Sequence, residues 1–130
     1  MNKEIKQKWI KALRSGRYTQ GKLSLREKNY YAKPGKPGKP SFCCLGVLCE
    51  VAIKEGVIKD PKKYDIYDMT YLYPGINRDQ LLPSKVADWA GLNSVNPTVE
   101  SPLGTITSLA ELNDGGYNFN EIAGIIEAQL

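Results

Sequence analysis

Apolar side chains recur at helical spacing at the start of the chain. They stand at Ile5, Trp9, Ile10 and Leu13, separated by four, one and three positions, and lysines lie among them. This spacing gathers them on one face of a helix, and Gly16 follows as a residue type that commonly ends one. The pattern therefore predicts an amphipathic helix from Lys3 to Ser15.

Two further apolar runs in the middle of the chain also predict helices. Phe42 to Glu55 is expected to form the central buried helix, with Ser41 as its N-cap and Gly56 at its end. A shorter helix is predicted to begin at Ser84, as its N-cap, and to stop at Gly91. Its inward-facing side chains would be Val86, Ala87 and Trp89.

The C-terminal part of the chain predicts one or two helical turns and then a longer helix. The turns run from Ser108 to Asn113, before a glycine-rich break. Asn118 then stands three residues before Glu121, close to a capping-box arrangement. The last helix is striped by isoleucine and leucine at Ile122, Ile125, Ile126 and Leu130.

Short strands are predicted between these helices. Tyr18 to Ala32 favours a strand or hairpin, Val57 to Tyr73 one or two short strands, and Pro97 to Thr107 a small hairpin. The whole chain, 1–130, is expected to be a single domain. Its predicted fold class is α+β and mainly helical, with the central cysteine-bearing helix packed between the N- and C-terminal helices and a small antiparallel β element alongside.

Charge is distributed unevenly along the chain. Residues 1–40 hold twelve Lys or Arg against two Glu, whereas residues 41–130 hold six against twelve acidic side chains. The prolines and glycines of residues 33–40 break regular structure, so this segment is predicted to be an exposed basic loop. Two interpretations remain open: a surface for an anionic partner, or solvated lysines on a helix and a loop.

All three cysteines lie in one short run, at Cys43, Cys44 and Cys49, and the chain has no histidine. Cys–His and Ser–His catalysis and any His-ligated metal site are therefore excluded within one chain. Three clustered thiols also make neither a disulfide framework nor a tetrahedral metal site, so we expect a reducing cytoplasm and no metal. The start of the chain lacks an apolar leader pattern, and no apolar run approaches membrane-spanning length.

Two catalytic hypotheses are weighed against structural explanations. Cys43 or Cys44 near a helix start and beside lysines could have a lowered thiol pKa, but free cysteine is among the most buried residue types. Carboxylates could act as acid or base, although turn formation explains Asp60 and Asp114. The other candidates lie in the tyrosine-rich middle, at Asp65, Asp68 and Asp79. No catalytic residue is assigned.

A binding hypothesis uses the same helix start as a phosphate cradle. Backbone N–H groups there would act together with basic side chains, while tyrosines offer stacking faces for a base. Lys39 is followed by Pro40 rather than Ser or Thr, so nucleotide hydrolysis with magnesium is not supported. The predicted ligand-binding residues are Arg14, Arg17, Lys33, Lys36, Lys39, Tyr30 and Tyr31.

Three stretches of the chain resemble a group of small bacteriophage-encoded proteins: Trp9 to Gly21, Phe42 to Cys49, and Leu109 to Asp114 followed by Phe119 to Glu127. The shared pattern is W-x2-A-L-x-S-G-x-Y-x-Q-G, then F-C-C-L-G-V-L-C, then L-N-D. The resemblance implies a phage product acting in the cytoplasm of the infected bacterial host. It implies no activity, no cofactor and no catalytic residues.

From these observations we expect an accessory binding protein rather than an enzyme. Its most favoured role is counter-defence, through capture of an anionic, nucleotide-type signal or inhibition of a host defence protein. The alternatives are a thiol- or carboxylate-dependent enzyme and a non-specific nucleic-acid binder, the latter less favoured because no groove-reading helix is visible. Expected partners are an anionic small molecule or a host protein, with no membrane, and a homo-oligomer is compatible with the sequence.

Overall fold

The computed structural model describes residues 1–27, 39–61 and 80–130. Within these ranges the chain forms five helices and five short strands. In chain order they are α1 Lys3–Arg14, β1 Thr19–Gln20, β2 Arg26–Glu27, β3 Ser41–Phe42, α2 Cys44–Lys54, α3 Ser84–Ala90, β4 Thr98–Glu100, β5 Ile106–Ser108, α4 Leu109–Asp114 and α5 Phe119–Gln129.

The N-terminal helix α1 forms as its apolar spacing predicts. Asn2 is its N-cap, and its side-chain oxygen accepts a hydrogen bond from the Ile5 N–H at 3.1 Å. The buried face packs against both α5 and α2. Trp9, fully buried on that face, donates its indole N–H to the Cys44 carbonyl at 2.9 Å, which fixes α1 to the first turn of α2.

The start of α2 differs from the prediction. Ser41 is not its N-cap, because Ser41 and Phe42 form β3, paired with β1 on one side and with β2 on the other. Strand pairing on both sides uses the backbone groups that a helix would need. The helix therefore begins at Cys44, and Cys43 occupies the N-cap position with no side-chain cap bond.

The start of α3 also differs by one position. Ser84 is already helical, and Pro83 stands at the N-cap with no side-chain cap bond, so the prediction that Ser84 caps the helix was wrong. The end is as predicted, because Gly91 adopts a left-handed conformation at φ 69°. Val86 and Ala87 are buried, whereas Trp89 is only half-buried against the core.

The strands form two small sheets. In the first, β1 runs parallel to β3 and β2 antiparallel to it, so the region predicted as a strand or hairpin supplies two strands that do not pair with each other. In the second, β4 and β5 form the predicted antiparallel hairpin, with Val99 opposite Thr107. The predictions for residues 28–38 and 62–79, which include most of the basic loop and the tyrosine-rich middle, lie outside the described residues.

Capping boxes start the last two helices. In α4 the Ser108 hydroxyl accepts from the Glu111 N–H, and the Glu111 carboxylate accepts from the Ser108 N–H at 3.0 Å. The same reciprocal pair joins Asn118 and Glu121 at the start of α5, which confirms that prediction. Hydrogen bonds from Ser108 and Thr107 hold the pKa of the Glu111 carboxyl below its usual value.

One apolar core joins residues of all three described ranges. Its fully buried members include Leu25, Leu45, Leu48, Leu109 and Ile122. The fold is α+β and mainly helical, with the cysteine-bearing helix α2 between the N- and C-terminal helices, as predicted. Among the helices of the described ranges, none has the length and apolar character needed to cross a membrane.

Candidate functional site

A surface groove of about 390 Å³ lies between the C-terminal halves of α1 and α2. We call it the α1–α2 groove. It is lined by four basic side chains, one acidic side chain, one tyrosine and three small or apolar residues: Lys8, Lys11, Arg17, Lys54, Glu55, Tyr18, Ala12, Ser15 and Val51.

Local sequence places these side chains around one opening. Lys8 and Lys11 are three residues apart on α1 and therefore lie on adjacent turns of one face. Gly16 adopts φ 72° just after the helix, a left-handed conformation that glycine reaches without a Cβ penalty. The chain turns back there, which brings Arg17 and Tyr18 to the groove. Lys54 is the last residue of α2.

The groove holds both paired and unpaired cations. The Lys8 ammonium donates to the Glu55 carboxylate at 2.8 Å and pairs with Glu4 at 3.2 Å. These interactions, the one with Glu55 most strongly, raise the pKa of Lys8. By contrast, Lys11, Arg17 and Lys54 have no ion-pair partner among the described residues. The groove therefore carries net positive charge.

Tyr18 forms the aromatic wall of the groove. Its ring meets the Phe42 ring edge to face, with centroids 5.3 Å apart and planes at 87°. The Lys54 ammonium lies 5.6 Å from the Tyr18 ring centroid, within cation–π range. Tyr18 is thus fixed on the core side by Phe42, while Lys54 lies over the ring at the surface.

Among the predicted ligand-binding residues that the structure describes, Arg14 and Arg17 have different neighbours. Arg17 lines the α1–α2 groove, but Arg14 forms an ion pair with Glu127 of α5 at 2.9 Å. Lys39 is exposed two residues before β3. The remaining predicted residues, Lys33, Lys36, Tyr30 and Tyr31, lie outside the described part of the chain.

Sequence reasoning did not assign Lys8, Lys11 or Lys54 to a site. On the sequence they are ordinary solvent-facing lysines of two helices separated by many residues. A partial signal existed, since Lys8, Lys11 and Arg17 fall within the strongly basic first third of the chain. Their convergence with Lys54 depends on the packing of α1 against α2.

The start of α2 is enclosed rather than open to a ligand. Cys43, Cys44 and Leu45 are buried there, and the Cys44 N–H donates to the Asn113 side-chain oxygen at 3.1 Å. A Cβ at Gly46 would overlap the Leu25 carbonyl oxygen, so the backbone at Leu25 lies directly against the first turn of α2. This packing gives the phosphate-cradle hypothesis no support at the start of α2.

Burial also makes the thiols poor nucleophiles. Removal from water raises the pKa of the Cys43 thiol to about 11, and raises the pKa values of Cys44 and Cys49 well above their ordinary value. Of the two explanations weighed from the sequence, burial is the one that the structure shows. The pKa that a helix start would lower is instead raised, because desolvation outweighs the backbone hydrogen bonds that favour the thiolate.

Two of the candidate carboxylates have structural partners. Asp60 pairs with Arg26 at 3.1 Å, and Asp114 accepts the Leu23 N–H at 2.8 Å. Asp65, Asp68 and Asp79 lie outside the described residues. Where the chain is described, no three metal-binding side chains come together.

A buried amide joins three distant parts of the chain. Asn113, which is 1% exposed, accepts from Gln20 at 2.9 Å and from the Cys44 N–H, and donates to the Gly21 carbonyl at 2.8 Å. Gln20 also donates to the Tyr117 carbonyl at 2.8 Å and accepts from the Phe119 N–H at 3.0 Å. We call this set the Gln20–Asn113 network.

Comparison with known proteins identifies a family without an assigned activity. A family model described as "Domain of unknown function (DUF8296)" matches residues 1–130. No curated protein and no solved structure matches the chain. Because the family model spans the full sequence, the chain belongs to the DUF8296 family.

Proposed function

We propose that this protein binds an anionic small molecule of the phosphate-bearing, nucleotide type in the α1–α2 groove. The observation that supports the proposal is the convergence of Lys11, Arg17 and Lys54, without acidic partners among the described residues, around an opening of about 390 Å³. Unpaired cations in a concave site favour an anion more than the same charges spread over a convex surface.

Each groove side chain has a distinct role in this proposal. Arg17 offers a planar fork suited to two phosphate oxygens, while Lys11 and Lys54 act as point charges. A phosphate that draws the Lys54 ammonium towards itself would uncover the Tyr18 ring, on which a base can stack. The proposal is binding without turnover, because the thiols that would serve as nucleophiles are buried away from the groove.

A purely structural explanation competes with this proposal. Both α1 and α2 end near the groove, and basic residues in a last helical turn stabilise the partial negative charge of the carbonyl ends. That explanation accounts for Lys11 and Lys54. Arg17 lies beyond α1 and its described contacts include no acidic side chain, so the binding proposal accounts for one more residue than the helix-dipole explanation does.

The biological role that we propose is counter-defence by a phage protein. It rests on the resemblance to phage-encoded proteins and on the class of ligand that the groove would accept. Capture of a nucleotide-type signal in the cytoplasm of an infected bacterium requires affinity and no catalysis. Inhibition of a host defence protein remains the second form of this proposal.

The test is calorimetric titration with pyrophosphate and with ADP at low salt. We compare the native chain with a triple variant, Lys11→Gln, Arg17→Gln and Lys54→Gln, and with Lys85→Gln as a control on α3. Each exposed charge contact contributes about 0.2–1 kcal/mol, so the triple variant should bind about 3-fold to 100-fold more weakly. Added salt should weaken binding to the native chain, and the control should bind normally.

Two results would contradict the proposal. One is equal affinity of the native chain and the triple variant for both probes. The other is no binding by the native chain at millimolar probe, which would favour the helix-dipole explanation. A third titrant, single-stranded oligonucleotides of increasing length, separates the alternatives: affinity that grows with length would replace small-molecule capture by non-specific nucleic-acid binding.

A further inference from the structure

The β4–β5 hairpin presents large apolar side chains to solvent. Leu103 in its turn is 85% exposed and Ile106 on β5 is 75% exposed. The only other large apolar side chain that is exposed in the described ranges is Leu23, at 62%, in a different part of the fold. Single exposed apolar residues are common, whereas apolar side chains grouped on one exposed element are typical of interaction sites.

Hydrogen bonds hold the hairpin turn in one conformation. The Ser101 hydroxyl oxygen accepts the N–H groups of Leu103 and Thr105, both at 3.2 Å, and the Ser101 N–H donates to the Thr105 carbonyl at 2.8 Å. Gly104 supplies the φ of 82° that the turn needs. The backbone at Leu103 is therefore ordered, and an ordered turn loses less backbone entropy on binding than a flexible one.

The backbone edges of this hairpin are already occupied. On β4 the Gln129 side chain accepts the Glu100 N–H at 2.7 Å and donates to the Glu100 carbonyl at 2.8 Å. On β5 the Ser108 N–H donates a hydrogen bond to the Glu111 carboxylate. Addition of a further strand is thus blocked at these positions, and the side chains of the turn are the available contact surface.

One carboxylate, that of Glu100, lies beside the turn. Glu100 lies directly opposite Ile106 in the strand register, and its carboxylate reaches over the turn to 3.9 Å from the position of a Gly104 Cβ. No Lys or Arg follows Lys85 in the sequence, whereas six acidic residues do. Two copies meeting turn to turn would bring their Glu100 carboxylates together, so like charge disfavours that arrangement.

We propose that Leu103, Ile106 and Glu100 form a hairpin docking surface for a second protein that offers an apolar pocket bordered by Lys or Arg. Leu103 would enter the pocket, and Glu100 would meet the basic rim. The surface is separate from the α1–α2 groove, so this inference stands or falls independently of the proposed anion binding. It fits the inhibition of a host protein rather than the capture of a small molecule.

The test is site-specific photocrosslinking with the full chain in bacterial cells. Leu103 is replaced by p-benzoylphenylalanine in one variant, and Leu23 is replaced in the matched control, which is also exposed. The expected result is an adduct from position 103 only, with crosslinked peptides that map to an apolar site flanked by Lys or Arg. Adding Glu100→Lys should reduce the adduct about fivefold, in line with the loss of one charge contact.

Melting curves control for folding, since these exposed side chains should be replaceable without loss of stability. Four results would overturn the inference. These are no adduct at position 103, equal adducts from both positions, an adduct between two copies of this chain, and an adduct that Glu100→Lys leaves unchanged.

Discussion

Removal of the buried amide in the Gln20–Asn113 network should strongly destabilise the fold. Asn113→Ala takes away an acceptor from Gln20 and from the Cys44 N–H, and a donor from the Gly21 carbonyl. Alanine cannot replace these contacts, so the Cys44 N–H and the Gly21 carbonyl lose their side-chain partner. The substitution tests whether this single side chain joins the segments around Gly21, Cys44 and Asn113 energetically as well as geometrically.

The magnitude follows from the burial of each orphaned group. The Cys44 N–H is buried and would lose its partner outright, at about 1–3 kcal/mol. The Gly21 carbonyl is only part-buried, so water can reach it and the loss is about 0.5–1.5 kcal/mol. Gln20 keeps the Tyr117 carbonyl and adds little. Asn113→Ala should thus lower the free energy of unfolding by about 2–4 kcal/mol.

Urea unfolding followed by circular dichroism measures this loss. Asn93→Ala, at an exposed loop position, is the matched control and should change the free energy of unfolding by less than about 0.5 kcal/mol. A double-mutant cycle with Gln20→Ala should give a coupling energy of about 0.5–3 kcal/mol. If Asn113→Ala costs no more than Asn93→Ala, or if the coupling is zero, the network does not hold these segments together.

The close contact in α2 and the buried thiols give the remaining predictions. Gly46→Ala should lower the stability of the fold by about 3 kcal/mol or more, because the new Cβ overlaps the Leu25 carbonyl. The control Gly124→Ala has open space and should raise the stability by about 0.5–1 kcal/mol. Equal effects of the two substitutions in thermal melts would refute the overlap. Cys43 should react with iodoacetamide at pH 8 at least about tenfold faster in urea than in the native state, and equal rates would refute its burial. Folding raises the pKa of the Cys43 thiol from 9.0 to about 11, so the free energy of unfolding should be unaffected by this group below pH 9 and should fall as the pH rises towards 11. The fall should be smaller in Cys43→Ala, and identical pH profiles of the two proteins would contradict this.

The sequence predicted those elements whose signals are local. The apolar spacing of α1 and the Asn118–Glu121 pair of α5 act within a few residues, so pattern and cap suffice. The β3 strand was missed because a serine before an apolar run looks the same at a helix cap and in a strand. Only its pairing with β1 and β2, more than a dozen residues away, distinguishes the two.

The candidate site was predicted only in part for a similar reason. Arg14 and Arg17 are close in sequence, but α1 ends between them, and they point to different neighbours. Lys54 reaches the groove through the packing of α2 on α1, which no local pattern encodes. Helix existence is a local property, whereas the gathering of charges is a tertiary one.

The residues on which the proposed resemblance to phage-encoded proteins rests include several that lie together in the structure. Trp9, Gln20, Gly46 and Asn113 all belong to the shared pattern, and all meet at or beside the first turn of α2. The groove cations behave differently: Lys11 and Arg17 stand at positions that the pattern leaves open, and Lys54 lies outside it. A chain that shares the pattern should therefore share the fold without necessarily sharing the ligand. The proposed anion binding extends to such a chain only where it also places basic residues at these three positions.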